Sequence, residues 1–121
     1  MSKKMNIWGR EFDIQIRYEA YDGEEVLPAQ IDALNSFVDG CDELLSEPDS
    51  VIKYCLTNNP KEIKEPIKNI FKYVMPVALL ILRNSENNVV LLCNYKFDYE
   101  NGIALVFNKN ELIKICSQSE I

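Results

Sequence analysis

Asp98 and Glu100 stand one residue apart in the stretch "CNYKFDYENGIALVF" (residues 93–107), immediately before Asn101-Gly102 and between two apolar runs. Two carboxylates so spaced can serve two kinds of chemistry: ligation of a hard cation with help from Asn94, or general acid and base catalysis. The surroundings supply little of what either needs. Ca²⁺ takes six or more oxygens, and no Asp-rich run adjoins the pair. A solvated carboxylate is also a poor proton donor at neutral pH.

The same residues have a purely structural reading. Asn-Gly between two β runs is a strong hairpin signal. It predicts a turn at Asn101-Gly102, or a four-residue Tyr99–Gly102 loop with Gly102 in the left-handed region. Either register sets Tyr95 and Phe97 on one face with Ala104 and Val106. Asn94, Lys96 and Asp98 then share the other face with Ile103, Leu105 and Phe107. Asp98 would accept a hydrogen bond from the backbone two residues on, as turn-opening Asp does. Asn94, Asp98, Glu100, Asn101 and Gly102 are therefore read mainly as hairpin structure, with a cation site or carboxylate-dependent hydrolase as the alternative.

Other chemistry is sparse. The chain has no histidine, which removes the usual general base and the Ser-His and Cys-His pairings. Cys41, Cys55, Cys93 and Cys116 are widely spaced, and no Cys-x-x-Cys occurs. They read as buried, reduced thiols in a cytoplasmic protein rather than as zinc ligands. No catalytic residue, metal or cofactor is expected.

Charge is more informative. The net charge is −6, yet residues 11–49 hold twelve acids against the single base Arg17. Such a surface repels nucleic acid, and reads either as a solvated acidic face or as one that attracts a basic protein. The candidate partner-binding residues are Asp39, Asp42, Glu43 and Glu47, with Tyr21 as an aromatic anchor. Trp8 and Tyr54 are further aromatic candidates, since interface anchors are often Tyr, Trp or Phe.

The elements that must position these groups follow from periodicity. With 121 residues, 47% of them hydrophobic and 26% charged, the chain reads as one globular domain spanning 1–121. No apolar run approaches the length of a membrane span, and the basic start "MSKKMNIWG" lacks the apolar segment of a signal peptide. Order is expected from about residue 5 onward. "EFDIQIRYEAY" alternates with period two and reads as a strand; "MNIWGRE" reads as its partner, turning at Gly9. From Pro28, apolar residues recur every three or four positions to Leu45, which predicts an amphipathic helix. Pro48 ends it, and Asp49 or Ser50 caps a second helix that stops at Asn58-Asn59-Pro60. A loop and a short helix near Pro66 follow, with Lys61, Lys64, Lys68 and Lys72 as a solvated stripe. Beyond Pro76, four runs (77–83, 89–97, 102–107 and 111–116) separated by turns read as an antiparallel meander. The fold class is α+β: an antiparallel sheet of an N-terminal hairpin and a four-strand meander, with two to three helices on one face. Strand 111–116 would be an edge, and self-association through it is a further option.

"CNYKFDYENGIALVF", with "IFKYVMP" (70–76) before it and "SQSEI" at the end, resembles a family of uncharacterised bacterial domains. Its members carry a Cys-Asn-Tyr-x-Phe-Asp-Pro-Glu-His-Gly-Ile-Ala-like signature. Cys93, Asn94, Tyr95, Phe97, Asp98, Glu100, Gly102, Ile103 and Ala104 match it. Tyr99 stands where the family often has Pro, and Asn101 where it often has His, so the one residue able to act as base or ligand is missing. Such families are similar to immunity-like proteins encoded near secreted toxins. The resemblance implies a non-enzymatic binding domain, which agrees with the acidic surface.

Overall fold

The computed structural model describes residues 1–121. β1 (Ser2–Ile7) and β2 (Arg10–Tyr18) form the N-terminal hairpin; α1 (Pro28–Leu44) and α2 (Asp49–Asn58) follow. β3 (Val74–Ile81), β4 (Val89–Tyr95), β5 (Asp98–Asn108) and β6 (Glu111–Cys116) complete one six-stranded sheet, in the order β1-β2-β3-β4-β5-β6. The α+β class, the N-terminal hairpin and the four-strand meander agree with the periodicities.

The sheet is mixed, not antiparallel. β2 and β3 run parallel, pairing Gln15 with Ala78 and Tyr18 with Ile81. A parallel pair requires a crossover, and residues 19–73, with both helices, are that crossover. One buried side chain fastens it. Gln30, wholly buried in the first turn of α1, donates from Nε2 to the carbonyls of Glu19 (2.8 Å) and Ile81 (3.1 Å). Its Oε1 accepts the Leu27 N–H at 2.9 Å, which satisfies a free donor at the start of the helix.

The main core lies between the helices and one sheet face. Leu34, Phe37 and Cys41 from α1, Leu45 just after it, and Val51 and Cys55 from α2 meet Ile7, Ile14, Leu79, Ile81, Leu91, Ile103 and Phe107. Ala78, Val90, Leu92, Ala104, Val106 and Cys116 make a smaller apolar layer on the opposite face of the central strands. The four cysteines are buried and unbridged. No helix is long and apolar enough to cross a membrane.

Local departures from the expected elements have local causes. Ser2–Lys4 are ordered because β1 pairs Ser2 with Gln15 and Lys3 with Ile14. Neither Asp49 nor Ser50 caps α2; Pro48 occupies that position, with no side-chain cap bond. The expected lysine-bearing helix near Pro66 is irregular chain closed by a single 3-10 turn at Ile70–Lys72. β3 begins at Val74 and carries Pro76 inside it, next to a bulge that absorbs the missing donor.

Candidate functional site

The β4–β5 hairpin does not turn at Asn101-Gly102. Tyr95 pairs with Asp98, so Lys96 and Phe97 make the turn. Pairing resumes at Cys93–Ile103, leaving Tyr99–Gly102 as a four-residue bulge opposite Asn94. The facing expected for the strands is reversed accordingly. Cys93 and Tyr95 join Ile103, Leu105 and Phe107 in the main core, while Ala104 and Val106 face the other way. Lys96 donates its backbone N–H to the Tyr73 carbonyl at 2.8 Å, and Phe97 stacks on Tyr73 at 5.8 Å.

The bulge accounts for the signature residues. Asp98 Oδ1 accepts the Asn101 backbone N–H at 3.1 Å, three residues on rather than two. Gly102 adopts φ +61°, and a Cβ there would collide with the Cys93 carbonyl oxygen. Gln118, in a C-terminal 3-10 turn, donates from Nε2 to the carbonyls of Cys93 (3.1 Å) and Ile103 (3.3 Å). Glu100 and Asn94 remain exposed at the surface. No group of three or more His, Cys, Asp or Glu side chains converges on a point where a metal would sit. Beneath the bulge, Tyr95 Oη donates to Asn59 Oδ1 at 2.5 Å and its ring meets Tyr54 edge-on. Burial pushes the Tyr95 hydroxyl and the Cys55 and Cys93 thiols up from their usual pKa values, so these groups stay neutral.

The acidic residues are arranged differently. Asp39, Asp42 and Glu43 are exposed in the C-terminal half of α1, and Glu47 is exposed in the connector to α2. At 100° per residue, Asp32, Asp39 and Glu43 fall along one flank of the helix. Asp42 lies further round, beside Asn6 of β1 and Gly9 of the β1–β2 turn. The chain has one ion pair, Arg83 to Glu24 at 2.6 Å. No α1 carboxylate has a cationic partner, and the last turn of α1 holds no base.

Tyr21 does not join this group. It is 68% exposed and belongs to the loop before α1, with the Arg83 guanidinium over its ring at 5.6 Å. Its side chain sits against Arg83, whereas Asp39, Asp42 and Glu43 lie in the C-terminal half of α1. Trp8 is only 8% exposed, and its ring meets Phe71. Tyr54 is half-buried against Tyr95.

The bulge, Gln118 and the buried Tyr95 cluster engage much of the 93–104 stretch in strand pairing, packing and hydrogen bonds. The chain belongs to a domain family of unknown function (DUF6985). The match runs over residues 1–121. No curated protein and no solved structure matches the chain. Family membership therefore carries no activity with it, and the reading of function rests on the site.

Proposed function

We propose that this member of the family is a non-enzymatic binding domain whose α1 face takes a basic protein partner. One observation carries the reading. Asp39, Asp42 and Glu43 crowd the C-terminal half of a helix with no ion-pair partner and no base in its last turn. Carboxylates at a helix C-terminus oppose the macrodipole, each costing about 0.3–1 kcal/mol. Glu47 and Asp49 extend the same charge into the connector and α2. A cluster that destabilises its own helix is accounted for by an external cation that neutralises it. An immunity-type inhibitor holding a basic toxin is the form of partnership that the sequence resemblance suggests. Four free thiols suit a reducing, cytoplasmic setting.

The reading centred on Asp98 and Glu100 draws less support. Asp98 is spent on Asn101, and Glu100 stands alone at the surface. The discriminating experiment compares wild type with a variant carrying Asp39→Lys, Asp42→Lys, Glu43→Lys and Glu47→Lys. Each is used to capture partners from source-cell lysate, and any retained protein is purified and titrated back at increasing salt. A basic protein bound by wild type alone, with affinity falling as salt rises, supports the proposal. Equal binding by the two versions, or no binding by either, refutes it.

A further inference from the structure

A cavity of about 190 Å³ opens between the first half of α1, the β3–β4 loop and the β5–β6 turn. Its floor is apolar: Phe37 and Phe107, whose rings meet at 5.0 Å, with Val89 and Ala33. Its polar lining is rich in acceptors. Asp32 and Glu86 supply two carboxylates against one cation, Lys109. Asn87 also lines it, with its side-chain Oδ1 turned away from the accessible space.

The walls are held in place by hydrogen bonds and strained backbone. Asn110 donates from Nδ2 to the Ser36 carbonyl at 3.0 Å, close over Gly40, where a Cβ would stand 3.0 Å from that nitrogen. Asn88 is buried and donates to the Phe107 carbonyl at 3.2 Å, tying the β3–β4 loop to β5. The chain has four non-glycine residues with positive φ, and Asn87, Lys109 and Asn110 are three of them. Strain of this kind gathers at ligand sites. Lys109 and Asn110 also form a two-residue hairpin turn, which explains their φ values but not that of Asn87.

We infer that this cavity receives one lysine or arginine side chain of the basic partner. The inference rests on the binding reading above and names the anchor it uses. The aliphatic stem would lie on Phe37, Val89 and Phe107, and the cationic head would meet the carboxylates of Asp32 and Glu86. Asp32 belongs to both the cavity wall and the acidic flank of α1, which continues through Asp39 and Glu43. An anchor seated here therefore places the partner along the remaining acids.

The test uses small probes, so it does not depend on finding the partner. Backbone amide NMR shifts of the intact chain are followed during titration with n-butylammonium and n-propylguanidinium, with butyrate and butanol as controls. Saturable shifts of Ser36, Asn87 and Asn110 with the two cations alone support the cavity. Asp32→Asn with Glu86→Gln should weaken them about tenfold. Ala33→Phe, which fills the cavity, should abolish them. Equal binding of butyrate, or no saturable shift with either cation, overturns the inference. Shifts confined to Asp39, Asp42 and Glu43 also overturn it while leaving the acidic-face reading intact.

Discussion

Gly102 lies against the carbonyl of Cys93 so closely that no side chain fits between them. This contact forms where β5 rejoins β4 after the four-residue bulge, and Gln118 closes the gap from the far end of the chain. Gly102→Ala meets two obstacles, a left-handed φ of +61° and a backbone clash. The expected loss is about 2–4 kcal/mol. At about 3–5 °C per kcal/mol, calorimetry should show a fall in Tm of more than about 6 °C. Gly9→Ala is the control. Its φ is +85° but its Cβ would meet nothing within 4 Å, so only the conformational cost of about 1–2 kcal/mol applies.

Gln30 should be the most sensitive polar position in the core. Gln30→Leu leaves the Leu27 N–H and the carbonyls of Glu19 and Ile81 without its side chain. Urea unfolding should register a loss of about 2–4 kcal/mol. Gln30→Glu should be worse at neutral pH, because its carboxylate would face two carbonyl oxygens. That carboxyl would titrate above its unfolded value, so the deficit relative to wild type should shrink as pH falls toward the unfolded value of about 4.3. A Gln30→Glu deficit independent of pH would show that the side chain escapes to solvent.

These two positions mark where local pattern informs and where it stops. The helix over Pro28–Leu44 and the period-two strand Arg10–Tyr18 are legible because one buried face imposes one period. The parallel β2–β3 pairing is not legible, since Gln30 reaches Ile81 across 51 positions and no local signal announces it. The β4–β5 turn was obscured by a genuine signal in an unexpected place. Asn101-Gly102 does supply left-handed backbone, but to the bulge rather than to the turn. The real turn, Lys96–Phe97, uses no positive φ and is held by Tyr73, more than twenty residues earlier. The acidic candidates Asp39, Asp42, Glu43 and Glu47 were visible as charge. Their lack of internal cations, the separation of Tyr21 and the cavity beside Asp32 needed the fold.

The thiols should be silent until the chain opens. Burial raises the pKa of all four cysteines, and Cys55 nearby further disfavours charge on Cys93. Native protein at pH 8 should therefore react with a thiol reagent at the rate of unfolding, and denatured protein should react at all four sites at once. The same shifts set the alkaline limit. Below the unfolded cysteine value of about 8.5, native and unfolded states hold the same thiol protons, and the contribution is intact. Above it the unfolded chain releases protons that the native state keeps, so stability falls as pH rises. The slope is about 1.4 kcal/mol per pH unit per fully shifted group, and Tyr95 adds to it above about pH 10. A stability flat from pH 7 to 11 would contradict this.

The acids of α1 should trade stability for binding. Asp42 and Glu43 sit in the last turn, where the helix carbonyls already present partial negative charge and no base offsets them. Asp42→Asn with Glu43→Gln removes both repulsions and leaves the buried face of α1, with Leu34, Phe37 and Cys41, unchanged. The free protein should gain about 0.5–2 kcal/mol at low ionic strength, and the gain should shrink as salt screens the helix terminus. Affinity for the basic partner should fall over the same substitution, with the loss mainly in the association rate. Residues held for folding alone would show the opposite sign in the first measurement. A double variant that unfolds more readily than wild type at low salt would mean that the carboxylates stabilise the helix, and the argument for an external cation would lose its basis.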